Sequence, residues 1–180
     1  PVGMSQEDPT IVVTTLDNKL FIGGASIVAA HASSLGANSK IITIAGQDKS
    51  MKFLTKELKK VGVHSKIIID DSRPTTIKKR YRTSEKTLFR VNIQDQRPIS
   101  KIIQNKIFLE FKKDIKKTDL LMLSDFNYGC LPKSLVEKIL NHVKKIKKNK
   151  KLIVVADSQS SSQMGDILKF KNADLFTPVS

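Results

Sequence analysis

The chain has 180 residues, 39% of them hydrophobic and 27% charged, which suits one globular domain with a packed core and at most one small appendage. No apolar run nears the roughly 20 residues that cross a bilayer, and "PVGMSQEDPT" lacks the basic start and apolar stretch of a signal peptide. A single cysteine, Cys130, excludes an internal disulfide and a cysteine metal cluster, so a cytoplasmic location and no membrane partner are expected.

In chain order, "IVVTT" and "KLFIG" predict two short strands around the turn "LDN". Small and apolar residues at helical spacing predict a helix over 25–35, with Gly36 as its C-cap. "KIITIA" is a buried strand. Asp48 caps a helix through "KSMKFLTKELKKVG", whose apolar face is Met51, Phe53, Leu54 and Leu58 and whose end is Gly62. "KIIID", "TTIKKRYRT" and "KTLFRVNI" predict strands with one wetted face, joined by the turns "DDSRP" and "SEK".

After Pro98 the helical period returns. "ISKIIQNKIFLEFKKDIKK" is an amphipathic helix, "DLLMLSD" a buried strand, and "PKSLVEKILNHVKKIKK" a helix with Pro132 in its first turn. "KLIVVAD" is a strand, "SSSQMGDILKF" a loop and short helix, and "ADLFTP" a last strand. The strand–helix alternation at 20–62 and 99–178 predicts an α/β fold, a mostly parallel sheet with helices on both faces. The strand-rich stretch between them predicts a small β-element laid against that core.

"GGAS" heads a helix and offers free backbone N–H groups to a ligand, although it matches neither a Walker A loop nor a G-x-G-x-x-G fingerprint. Taken alone, Gly23 and Gly24 could equally be turn residues. Asp125 ends a buried strand, where ligands of parallel sheets collect, so Asp125 and Asn127 are candidate contacts for a hydroxyl-rich ligand. A capping role is the alternative. Asp157 repeats the arrangement in "VVAD". Alternation places Lys78 and Arg80 on one strand face with Arg90 nearby, which suits a phosphorylated small molecule or an edge guarded by charge. His31, His64 and His142 lack ligand spacing, so no metal site is expected, and Cys130 is expected to be a buried structural thiol.

The formal net charge of +15 admits nucleic acid as a partner. Against it, only 6% of residues are aromatic, no reading motif is present, and lysines on helices usually form a solvated face.

The run "GGASIVAAHASSLGANSKIITIAG" resembles the N-terminal signature of the ribokinase-like (PfkB-type) carbohydrate kinases, with Gly23, Gly24, Ala29, Gly36 and Gly46 in register. "GQD", "ELKKVGV", "RPTTIKKRY", "LFRVN", "LSDFNYG" and "LFTP" continue the similarity over nearly the whole chain. Within that family the series is most similar to the heptose 7-phosphate kinase domain of ADP-heptose synthesis. The resemblance implies a ribokinase-like three-layer α/β/α sandwich with a small β-lid. Residues 1–180 would be a partial kinase domain, with lid segments 9–22 and 66–95 and a core of 23–65 and 96–180. It implies transfer of the ATP γ-phosphoryl group, with Mg²⁺, to a hydroxyl of a sugar or sugar phosphate, and a homodimer through the lid. Gly23, Gly24 and Ile27 would approach the sugar, Lys78 and Arg90 its phosphate, Asp125 and Asn127 the cleft, and Asp157 the nucleotide. The family's Gly-Ala-Gly-Asp segment with the catalytic base would follow Ser180, and its first strand, with a sugar-binding aspartate, would precede Pro1, so the fragment alone is expected to be inactive.

The sequence departs from the family pattern at Ile27, where Asn is expected, and from the heptose kinases at Tyr128, Ser158, Gln159 and Val179. These departures point to a different sugar, or to a non-catalytic sugar-binding or scaffold domain of the same fold.

Overall fold

The computed structural model describes residues 3–5, 7–83, 85–158 and 166–177. Strands β1 (Gly3–Met4) and β2 (Ile11–Val12) form an antiparallel ribbon. Helix α1 (Ala25–Ser34) follows and ends in a Schellman turn. Gly36, at φ 92°, donates to Ser33 O, and Ala37 donates to Ala32 O. Strand β3 (Lys40–Ala45) leads to helix α2 (Lys49–Lys60), capped where Asp48 accepts from the Met51 amide at 2.9 Å. Gly62, at φ 71°, closes α2 in the same manner, with Val63 donating to Leu58 O. Strand β4 (His64–Ile69) then runs parallel to β3 from Lys40↔His64 to Ala45↔Ile69.

Strands β5 (Ile77–Arg82) and β6 (Thr87–Ile93) form a separate antiparallel hairpin with a register shift at Tyr81/Arg82. Helix α3 (Lys101–Asp114) is capped by Ser100 and runs into a 3-10 turn at Ile115–Lys117. Strand β7 (Leu120–Asp125), helix α4 (Lys133–Ile146), strand β8 (Ile153–Ser158), a 3-10 turn at Ile167–Phe170 and strand β9 (Leu175–Phe176) complete the chain. The second sheet is parallel, ordered β7-β8-β9.

The two parallel sheets share one core. Ile68 of β4 packs in a single cluster with Ile103, Ile107 and Phe111 of α3, Leu123, Val136, Ile139, Val154 and Phe170. A smaller cluster of Ala30, Ile41, Leu58 and Val63 joins β3 to α1 and α2. Ile41 and Ile42 are neighbours in β3 yet enter different clusters, as strand pleating requires. Sheet therefore lies between α1/α2 and α3/α4, the three-layer α/β arrangement expected.

Three boundaries differ from the sequence expectation. In the 9–22 segment only Ile11–Val12 is strand, and "KLFIG" forms none, leaving Leu16 and Phe21 96% and 80% exposed. A short strand has no stability without a partner ladder, and none of the described residues supplies one to 13–23. In the 66–95 segment, Lys66 to Ile69 belong to β4 and not to the lid. Three consecutive isoleucines mark a strand covered on both faces, and the lid hairpin begins at Ile77. Pro132 is the N-cap of α4, its carbonyl accepting from Leu135 and Val136, one position before its expected place.

Candidate functional site

The loop after β7 is fixed from two sides. Asp125, 2% exposed, accepts the Asn127 amide on Oδ1 at 3.1 Å, and Asn127 holds a left-handed φ of 58°. Its Oδ2 is paired with Lys169, whose side chain is 9% exposed and also reaches Asn127 Oδ1 at 3.4 Å. Both carboxylate oxygens of Asp125 thus have partners within the protein. Lys169 lies 44 residues away on the 3-10 turn, and no local pattern in the sequence singles it out.

On the other side stands Arg73, buried with Asp70 in an ion pair at 2.8 Å (Nε to Oδ2). Its NH2 group donates to Arg97 O at 3.0 Å and NH1 approaches Tyr128 O at 3.4 Å. Burial opposes the charge on Asp70, but the hydroxyl and amide of Ser72 and the Arg73 guanidinium outweigh it and hold the carboxyl below its ordinary value. Gly129, at φ 73°, presses on the same carbonyl: a Cβ there would lie 2.0 Å from Arg97 O. The entry to the lid is tied by Thr75, whose amide donates to Asp48 Oδ2 at 2.9 Å and whose hydroxyl accepts the Gly46 amide at 3.1 Å. At the lid exit, hydrogen bonds from Arg97 hold Asp95 well below the usual carboxylate range. Lid entry, lid exit and the β7 loop therefore meet at one buried arginine.

The hairpin has two distinct faces. Pairing of Lys78 with Asn92 and Arg80 with Arg90 puts these four residues on one face. The opposite face carries Ile77, Lys79, Tyr81, Phe89, Val91 and Ile93, with Tyr81 and Phe89 stacked at 4.5 Å. The basic face meets the β7 loop: Lys78 Nζ lies 5.0 Å from the centroid of the Tyr128 ring. Tyr128 in turn stacks near Phe126 at 6.3 Å and 19°. Phe126 abuts Gly24, where a Cβ would sit 3.3 Å from its ring and where φ is 57°. Gly24, the β7 loop and Lys78 thus form one continuous surface, beside which Gly23 leaves open space.

Ile27 falls elsewhere. It lines a cavity of about 530 Å³ with Leu20, Phe21, His31 and Phe53, between α1 and α2. Asp157, next to last in β8, pairs with Ser124, and burial, reinforced by the charge of Asp125, pushes its carboxyl up. Burial and the charge of Asp125 likewise push the Cys130 thiol up to about 11, so it stays protonated at neutral pH. His64 opens β4 and His142 sits edge-on to Phe108 and Phe111 at 5.7 and 5.9 Å. Among the described residues, no group of three or more His, Cys, Asp or Glu side chains could hold a metal ion. No helix there is long and apolar enough to cross a membrane. Gln159 and Val179 lie outside the described residues.

This architecture is a ribokinase-like α/β fold. A ribokinase from Giardia lamblia aligns with TM-score 0.61 at 14% identity, covering 86% of this chain and 46% of that one. A sugar kinase from Pyrococcus horikoshii in complex with ATP aligns with TM-score 0.51 at 20% identity, over 82% and 48%. The sequence pattern of the pfkB family carbohydrate kinases matches residues 4–179, and the chain belongs to that family. Its similar curated relatives include the bifunctional protein HldE of Nitratiruptor sp., 31% identical over 76% of this chain and 29% of the relative. HldE of Campylobacter jejuni strain RM1221 is 30% identical over 97% and 35%, and HldE of Helicobacter hepaticus 28% identical over the same shares. The chain spans about a third of the length of these relatives.

Proposed function

We propose that this chain supplies the sugar-binding side of a carbohydrate kinase that transfers the γ-phosphoryl group of ATP to a hydroxyl of a sugar phosphate. One observation carries the reading: the hairpin face with Lys78, Arg80 and Arg90 meets, through Lys78, the β7 loop that abuts the glycine-led α1. Lys78 and Arg90 would hold the phosphate already on the sugar by charge-assisted hydrogen bonds. Gly23 and Gly24 would admit the sugar ring close to the backbone, and Asn127 would border it. Phosphoryl transfer rests on positioning and charge neutralisation, which is the work such residues can do. Support for a sugar substrate comes from the carbohydrate kinase family, for its phosphate from the basic hairpin face, and for ATP from the Pyrococcus neighbour solved with it.

The described residues do not compose a nucleotide–Mg²⁺ site. Asp157, beside Ser124 near the end of β8, is the residue of this chain that would face the nucleotide, and no step is assigned to Mg²⁺. The proposed lid is 77–93 and the remainder core. A homodimer through the lid is supported by its largely apolar face, where Phe89 and Val91 are 41% and 42% exposed around Lys79. A non-catalytic sugar-binding domain is favoured by the engagement of Asp125 with Lys169. Calorimetric titration with sugar phosphates and their unphosphorylated sugars tests the binding claim. Phosphorylated ligands should bind at least about tenfold more tightly. Equal affinities would overturn the role of Lys78 and Arg90.

A further inference from the structure

We propose that the open edge of β4 and the groove between it and α3 dock an extended protein segment in which acidic and apolar residues alternate, added as a strand beside β4. In the β3–β4 ladder the His64 amide donates to Ser39 O at 3.0 Å and the Asp70 amide to Ala45 O at 2.9 Å. Alternate residues of a strand turn their backbone groups to opposite sides, so 64, 66, 68 and 70 bond to β3. The amides and carbonyls of Ser65, Ile67 and Ile69 therefore point away from it. Among the described residues no strand pairs with that side. A row of such groups is a template for another strand. It opens into a groove of about 710 Å³, lined by Ile67, Ile68 and Ile69 and walled on the far side by α3 from Lys106 to Lys113. Neighbouring side chains of a strand lie on opposite faces, so a groove touching all three isoleucines runs along the edge.

The two faces of β4 fix what the added strand must carry. Lys66 and Ile68 face α3: the Lys66 ammonium lies 3.9 Å from Glu110, and Ile68 packs in the cluster with Ile103 and Ile107. Ile67 and Ile69 face the opposite way and are half-buried. Side chains of paired strands meet their neighbours on the same face. One set from the incoming strand thus stands beside Lys66, toward Lys106, Lys112 and Lys113, and the other beside Ile67 and Ile69. Glu110 is the one carboxylate among the lining residues, and Lys113 already holds it at 2.7 Å. Charge complementarity calls for carboxylates on the α3 side and apolar, strand-forming side chains on the other. The same lysines oppose a second copy at this edge, since two chains of net charge +15 would bring them together.

The test uses a fluorescein-labelled octapeptide of alternating glutamate and valine, titrated with the 180-residue chain at about 0.15 M salt and followed by anisotropy. Binding should saturate. A peptide of the same composition with its glutamates contiguous should bind at least about tenfold more weakly, as should the Lys66→Glu, Lys106→Glu variant, whose substitutions are at exposed positions. N-methylation on the glutamates alone or on the valines alone should give one peptide that loses at least about tenfold and one that does not, because only one set of amides faces β4. Amide exchange at Ser65, Ile67 and Ile69 should slow on binding. Equal affinity for the alternating and contiguous peptides would overturn the proposal by showing charge attraction alone. Absence of binding at millimolar peptide, or unchanged exchange at those three amides, would overturn it as well. Protection of the same amides that rises with chain concentration in the absence of peptide would assign the edge to a second copy instead.

Discussion

Replacing Arg73 by Met should produce a large loss of stability that a second substitution largely restores. The guanidinium and the Asp70 carboxylate have side chains only 6% and 8% exposed, so removing one leaves a buried charge without its partner. Breaking such a pair costs about 3–5 kcal/mol. The carbonyl of Arg97 loses its donor at 3.0 Å as well, worth about 1 kcal/mol, while the two bonds from Ser72 soften the exposure of Asp70. A net loss of about 4 kcal/mol is a large part of the stability of any single domain. With a urea m-value of about 2 kcal/mol/M, the midpoint followed by circular dichroism should fall by about 2 M. The double variant Asp70→Asn, Arg73→Met removes both charges and should recover at least about half of that loss, a coupling measured by the double-mutant cycle. A loss below about 1 kcal/mol for Arg73→Met, or an additive cycle, would refute the view that this pair joins lid and loop.

Gly129→Ala should also destabilise strongly, by more than about 2 kcal/mol, since its Cβ would lie 2.0 Å from a backbone carbonyl at a left-handed φ; thermal unfolding checks this. His142 is held below its ordinary value by burial first and then by Lys112, Lys145 and Lys116. A depressed histidine binds fewer protons folded than unfolded, so its contribution is present above pH 6.5 and is lost as pH falls through that value. His142→Gln should therefore flatten the stability profile between about pH 7 and 5, measured by urea midpoints. Paired Val91→Lys and Ile93→Lys substitutions should leave the fold intact and abolish any dimer seen by sedimentation; a dimer that survives them uses another surface.

The parts of the fold legible in the sequence are those fixed by local chemistry. Asp48 announces a helix start because a short acceptor side chain meets a free amide three residues on, and that bond forms. Gly36 and Gly62 announce helix ends because both adopt positive φ. The isoleucine run of β4 was open to misplacement, since periodicity tells burial and not partner. The segment before Gly23 looked like strand by composition alone, and strand formation is decided by a neighbour that composition does not reveal.

The site divides in the same way. Lys78, Arg80 and Arg90 share a face as alternation requires, and Gly24 lies against the β7 loop. Asp125 was visible as a strand-end carboxylate, but its occupation by Lys169 depends on a contact across 44 residues. Tyr128 entered the sequence reading only as a departure from the heptose kinases. The burial of its hydroxyl and its ring contacts are tertiary facts with no local signature. Ile27 follows the helix into the α1/α2 cavity, where an apolar side chain belongs.

The most direct test of the sugar-side assignment is amide chemical-shift mapping of the isotope-labelled chain during titration with a sugar phosphate. The account expects saturable shifts concentrated at Gly23, Gly24, Lys78, Arg90, Asn127 and Tyr128, with the outer lysines of α3 and α4 little affected. Saturable shifts confined to α3 and α4, or none at these residues at millimolar ligand, would contradict it.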